Sequence, residues 1–304
     1  MGKLVQSTAS EMVMPRFAPW ATDLPDDLTP AQGYQLALDR IAWRAAGRPD
    51  PATLDEWPND DDLDYLLSRH SHDTLDLNSL KLRTIPDELY QSGGIAFLFL
   101  MDNRIETLPE RFTEMLRLEQ LSLFGNPLRE IPASLLLMAG LEGLYLGRSA
   151  LTRLPHLDRP STSIKTLGLE RTEWLEIPDG YLANFPNLRS LSLGYSSRHK
   201  IPDEVFGLAE LIQLDFEGNS LKALSPQIGR LTKLLSLQLR DCKLETLPKE
   251  LGELTKLEEK AGSGPFGLHI SGNPFKDKEL RRIAKLKNPQ QTVEALLWAR
   301  ANGS

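Results

Sequence analysis

Apolar residues in an L-x-L arrangement recur through this chain at a nearly fixed spacing, and that period limits what the chain can fold into. The pairs fall at Leu75/Leu77, Leu98/Leu100, Leu121/Leu123, Leu144/Leu146, Leu167/Leu169, Leu191/Leu193, Leu214/Phe216, Leu237/Leu239 and Leu268/Ile270. Successive steps are 23, 23, 23, 23, 24, 23, 23 and 31 residues. A period of this length marks stacked supersecondary units, each too small to bury its own apolar face and stable only against its neighbours.

One unit shows the physics. In Leu118-x-x-Leu121-x-Leu123-x-x-Asn126-x-Leu128-x-x-Ile131-Pro132, the alternation of Leu121 and Leu123 predicts a short strand with both side chains inward. Asn126 follows where the chain turns, and its amide can bond backbone groups that the turn leaves unpaired. The same position holds Leu80, Asn103, Ser149, Thr172, Ser196, Asn219, Cys242 and Asn273 in the other units, so all but Leu80 can hydrogen-bond. An Ile-Pro or Leu-Pro pair ends most units, because proline fixes φ and cannot donate to a ladder. Leu224-Ser225 breaks that rule.

On these residues, the segment 73–275 resembles a leucine-rich repeat array of the 23-residue L-x-x-L-x-L-x-x-N-x-L-x-x-L-P kind, similar to intracellular Ras-group-related and bacterial arrays. The resemblance implies an α/β fold: a right-handed solenoid with a parallel sheet on its concave side, capped by helices at both ends. At ~4.8 Å between strands, nine units would give a sheet roughly 40 Å across, which suits a protein partner. The expected layout is an irregular arm over 1–28, a helical cap over 29–72, about nine repeats over 73–275 and a second helical cap over 276–304.

Both caps have local signals. Thr29-Pro30-Ala31-Gln32 is a capping box with proline in the first turn. The helix it starts is expected to bury Tyr34, Leu38, Ile41 and Ala45 and to stop near Gly47, and a short second helix is expected over Asp61 to Arg69. At the far end Leu280, Ile283 and Leu286 share a helical face before Asn288-Pro289, and a last helix is expected to turn Val293, Leu296, Leu297 and Trp298 inward. Eight extra residues around Glu259 to Gly267 account for the step of 31, and their three glycines and proline predict a projecting loop.

Composition narrows the function. A net charge of -7 argues against a nucleic-acid backbone as partner. The single cysteine excludes an internal disulfide and favours a reducing, cytoplasmic setting. No stretch approaches the length of a membrane span. Chemistry-bearing motifs are few, and no cofactor or metal is expected. His70-Ser71-His72-Asp73 reads as a solvated junction, Asn59 to Asp64 as an acidic helix start, and Cys242 as a buried structural thiol. Trp174 stands at a repeat-leucine position and reads as core. Arg198 stands at the equivalent position of the next unit, which is expected to bulge outward.

The residues flanking the buried leucines project from the sheet, so they form columns. Phe97, Phe99, Met101, Phe124 and Tyr145 gather on the second to fourth units, beside Arg148, Arg171 and Tyr195. Exposed aromatics edged by arginine resemble interface hot spots, and these eight residues are the candidate partner-binding set. The expected function is a non-catalytic protein-binding scaffold. The alternatives are a secreted bacterial effector that recognises a host protein and a GTPase-regulating module; dimerisation through the same patch also fits.

Overall fold

The computed structural model describes residues 28–45, 73–91 and 94–302. Nine parallel strands form one sheet in strict sequence order: β1 (Thr74–Asp76), β2 (Phe97–Phe99), β3 (Gln120–Ser122), β4 (Gly143–Tyr145), β5 (Thr166–Gly168), β6 (Ser190–Ser192), β7 (Gln213–Asp215), β8 (Ser236–Gln238) and β9 (Gly267–His269). The helices are α1 (Pro30–Ala45), α2 (Glu88–Gln91), α3 (Ala133–Leu136), α4 (Lys256–Glu259), α5 (Lys278–Ile283) and α6 (Gln290–Asn302). Single 3-10 turns follow β2, β5, β6, β7 and β8, and the connection from β4 to β5 carries neither a helix nor a 3-10 turn.

Each strand is three residues long because only its central leucine points into the core. Leu75, Leu98, Leu121, Leu144, Leu167, Leu191, Leu214, Leu237 and Leu268 lie in register across the sheet. All are 3% exposed or less. Full burial of one such side chain contributes about 2 kcal/mol. Backbone pairing continues past the strand ends, as in Leu123 N–H to Tyr145 O (2.8 Å) and Gly125 N–H to Gly147 O (2.9 Å).

The turn ladder forms as the spacing predicts. Asn126 Oδ1 accepts from Ile105 N–H at 3.1 Å, and its Nδ2 donates to Leu100 O (2.7 Å) and Leu123 O (2.9 Å). Asn103, Asn219 and Asn273 repeat this pattern. Thr172 donates to Leu169 O, Ser196 Oγ to Gly194 O and Cys242 Sγ to Phe216 O. Ser149 breaks the series, since its buried Oγ has no hydrogen-bond partner. Cys242 is 3% exposed, and burial pushes its thiol up to about 11.

Proline opens the turn that follows. Pro109, Pro132, Pro202 and Pro248 each precede the first residue of a short helical turn, with φ between -54° and -77°. Where the pair is Leu224-Ser225, the Ser225 hydroxyl instead accepts from Gln227 N–H and Pro226 takes the next position. A serine cap thus replaces the proline.

The ends explain two corrections. The Thr29–Gln32 capping box forms, with Thr29 N–H bonded to Gln32 Oε1 at 2.8 Å and Gln32 N–H to Thr29 Oγ1 at 3.3 Å. However, α1 buries Leu36, Ala37, Arg40 and Ile41 and leaves Tyr34 37% exposed. The helix turns this way because Gly33 lies against the first unit, where a Cβ would stand 1.7 Å from Leu80 O. Arg40 meanwhile donates to the edge carbonyl of Asp76 at 2.8 Å. In α6, Val293 (37%) and Leu297 (54%) are exposed, whereas Gln291 and Thr292 are buried with Ala295, Leu296 and Ala299. Strand β9 has no further strand to receive its N–H groups, so Thr292 Oγ1 accepts from Leu268 N–H (2.9 Å) and Gln291 Oε1 from Ile270 N–H (3.2 Å). Backbone satisfaction therefore sets the rotation of the last helix. The helix expected over Asp61 to Arg69, the N-terminal arm, Asn59 to Asp64 and His70 to His72 lie outside the described residues.

Two side chains inside the array also differ from expectation. Trp174 is 75% exposed, and Leu175, at 4%, fills the core in its place. A Leu175 N–H to Thr172 O bond (3.1 Å) closes this turn, so the inward residue falls three places after the ladder position instead of two and the indole stays outside. The unit of Arg198 does not bulge: Arg198 N–H keeps the ladder bond to Asn219 Oδ1 (2.9 Å), and its guanidinium reaches back to Leu175 O (3.0 Å).

Candidate functional site

The two residues flanking each inward leucine stand on the outer face of the sheet, and their burial divides that face into three zones. Over β1 to β3 it is mostly closed: Thr74, Phe97, Phe99 and Ser122 are 5%, 3%, 4% and 5% exposed, while Asp76 and Gln120 are half-buried. At β9 it is closed again, by the insertion. From β5 to β8 the flanking residues Thr166, Ser190, Ser192, Gln213, Asp215 and Gln238 are half-buried.

The insertion folds back onto the sheet rather than projecting. Pro265 O accepts from Ser236 Oγ (2.7 Å), Gln238 Nε2 (2.8 Å) and His269 Nε2 (3.2 Å). Three side chains from the two last strands thereby hold one loop carbonyl. Arg240 Nη2 lies 2.5 Å from His269 Nδ1. Burial first, and the Arg240 charge second, lower the His269 pKa.

Of the eight candidate residues, Phe97 and Phe99 are not exposed. They belong to an interior strand, in register between Thr74 and Gln120 and between Asp76 and Ser122. Met101, Phe124 and Tyr145 are half-buried, while Arg148 and Arg171 are exposed and Tyr195 is 42% exposed. The structure pairs them across units. The Arg148 guanidinium lies 5.4 Å from the Phe124 ring centre and forms an ion pair with Asp102. Arg171 stacks 4.4 Å from the Tyr195 ring centre, and the Tyr195 hydroxyl donates to Glu217 Oε1 at 2.5 Å. That hydrogen bond is the main reason the Tyr195 phenol is pushed up to about 12.

Arg148, Arg171 and Tyr195 share a backbone feature. They occupy the left-handed region at φ 50°, 56° and 52°, in the column where Gly125, Gly218 and Gly272 also have positive φ. A residue with a Cβ costs roughly 1–2 kcal/mol there. Ser79, Asp102 and Asp241 in the same column have positive φ too, so the repeat's turn sets this conformation whatever the side chain.

The aromatic criterion passes over a second group in the same columns. Glu170, Asp215 and Glu217 are half-buried on the central units. Burial raises the pKa of both Glu170 and Asp215. Ser192 Oγ donates its proton to Asp215 Oδ2 (2.8 Å), and Asp215 Oδ1 accepts from Glu217 N–H (2.9 Å). Glu170 Oε2 is left buried with no hydrogen-bond partner. The run of carboxylates in adjacent columns was the available sequence signal. Among the described residues no group of three or more His, Cys, Asp or Glu is placed to hold a metal ion. No helix there is long and apolar enough to cross a membrane.

No protein-family model and no curated protein matches the sequence. Solved structures do. A leucine-rich repeat protein of Leptospira interrogans is similar at 26% identity and a TM-score of 0.50, over 69% of this chain and 57% of that one. Human trophoblast glycoprotein is similar at 24% identity and a TM-score of 0.54, over 66% of this chain and 77% of that one. This chain therefore spans little more than half the length of the Leptospira protein. Its sheet order, register and structural neighbours agree, and the chain has the leucine-rich repeat solenoid fold.

Proposed function

We propose that this chain is a non-catalytic recognition module that holds a protein partner on the face of its sheet, over the open stretch from β4 to β8. One observation carries the reading: the face is mostly closed at both ends, yet between them lie water-accessible aromatic, guanidinium and carboxylate groups held by cross-unit contacts. Side chains fixed before binding lose little entropy when a partner arrives. Tyrosine and arginine are also the types that carry most interface energy. Phe124, Tyr145, Arg148, Arg171 and Tyr195 form the aromatic and basic rim of this surface; Phe97 and Phe99 lie buried on the same face over β2, outside the open stretch. A single cysteine, engaged in the turn ladder, supports a reducing and hence cytoplasmic setting.

Affinity capture from native lysate tests the reading. Wild-type protein is expected to retain a partner that Ser190→Trp, which places a bulky ring on the open face, does not retain. Equal recovery by both proteins would remove the sheet face from the account.

A further inference from the structure

The floor of the open stretch is acidic, and its shape follows from missing side chains. A Cβ at Gly147 would lie 2.5 Å from Glu170 Oε1 and 2.8 Å from Phe124 Cδ2, and one at Gly168 would lie 3.1 Å from Glu170 Oε2. Glu170 thus lies flat against backbone that only glycine leaves bare. A similar contact recurs two units on, with Asp215 Oδ2 at 3.1 Å from where a Gly194 Cβ would stand. The result is a low carboxylate floor between a Phe124–Tyr145 wall and an Arg240 wall.

The neighbouring cations each have another partner, although the charge of Arg171 also acts on Glu170 and that of Arg240 on Asp215, in both cases less than burial does. Arg171 is stacked on Tyr195, Arg148 is paired with Asp102, and Arg240 is shared between His269 and Glu217, whose Oε2 lies 3.8 Å away. Glu170 and Asp215 have lost much of their water, which is what raises their pKa; the Glu170 main chain and Ser192 offset this only in part, since the one Ser192 hydroxyl proton goes to Asp215 Oδ2 and Glu170 Oε2 has no hydrogen-bond partner. A half-buried carboxylate with an unfilled lone pair is compensated by an incoming cation that brings its own N–H donors. Phe124 and Tyr145 stand beside it. Aromatic rings of this kind pack the aliphatic stem of lysine or arginine and attract its charged end.

We propose that the open stretch binds an extended segment of a partner protein through a lysine or arginine side chain, whose cation seats on Glu170 and Asp215 while its stem packs on Phe124. The proposal rests on the sheet face being the binding surface and adds the chemistry of the partner. Positive charge on the partner also agrees with the net charge of -7 on this chain.

The test uses the full chain and fluorescein-labelled decapeptide pools in which one central position is fixed as arginine, lysine, citrulline or glutamate, read by fluorescence anisotropy. Spermine alone serves as competitor. The expected result is saturable binding of the arginine or lysine pools, weaker by about tenfold or more with citrulline or with Glu170→Gln, and weaker at high salt. Glu170→Gln preserves the size and shape of the side chain, and its melting transition serves as the control for structure. Equal binding of the citrulline pool, no effect of Glu170→Gln, or no saturable binding by any pool overturns the proposal. So does spermine binding as tightly as the best peptide pool. If charge makes no difference but Ser190→Trp still abolishes peptide binding, the sheet face remains the site and only the cationic anchor fails. If Ser190→Trp binds like wild type, both readings fail together.

Discussion

Thr292 Oγ1 accepts a 2.9 Å hydrogen bond from the main-chain N–H of Leu268, in the strand that ends the sheet. In every earlier strand that role belongs to a carbonyl of the next unit. Thr292→Val keeps the shape and leaves a buried donor unpaired, which costs about 1–3 kcal/mol. Urea denaturation should show that loss, whereas Thr292→Ser should stay near wild type.

The turn ladder makes a contrasting pair. Asn126→Ala strands Ile105 N–H inside the core and takes one of two donors from Leu100 O and Leu123 O, which keep Asn103 Nδ2 and Asn126 N–H, and a loss of about 2 kcal/mol is expected. Ser149 Oγ has no hydrogen-bond partner, so Ser149→Ala should change stability by less than about 0.5 kcal/mol. Thermal melts of the two variants, made side by side, check whether hydrogen bonding at this position or its volume matters.

Support and recognition separate at the second and sixth strands. Phe99 is 4% exposed, and Phe99→Ala should cost about 3–5 kcal/mol through the cavity it leaves. Tyr195 is 42% exposed, and Tyr195→Ala should cost about 1 kcal/mol or less while reducing partner capture. Calorimetry together with a pull-down reads both effects.

Glu170 gives a pH signature. Its pKa is raised, mainly by burial, so the native state prefers the protonated form. Below the ordinary value of 4.5 the group is protonated whether folded or unfolded, and its full contribution to stability is present. That contribution is lost as pH rises through the higher folded value. Glu170→Gln should therefore melt above wild type at pH 7, with the gap shrinking as pH falls below 4.5. A constant gap across the range would place the effect in packing instead of charge.

The period made the fold legible, because Leu75 through Leu268 and Asn103, Asn126, Asn219 and Asn273 repeat at positions where only one geometry buries the apolar side chains and satisfies the turn. The end faces were not legible in the same way. An apolar criterion selects Val293 and Leu297, yet Gln291 and Thr292 go inward because an unpaired strand edge requires donors and acceptors there. Trp174 lies outside although it stands at a repeat-leucine position, because the hydrogen-bonded turn before it presents its neighbour Leu175 to the core, and position alone does not show that turn. The candidate site was half legible. Columns located the aromatics and arginines, but the burial of Phe97 and Phe99 and the flattening of Glu170 over two glycines arise from contacts between units that no single repeat displays.

Site-specific photo-crosslinking tests the sheet-face reading most directly. A benzoylphenylalanine placed at Ser190, on the open face, and another at Leu116, which is 84% exposed on a connecting turn, are irradiated in native lysate. The account predicts a protein adduct from position 190 that is absent from position 116. Adducts from 116 alone, or the same adduct from both positions, would contradict it.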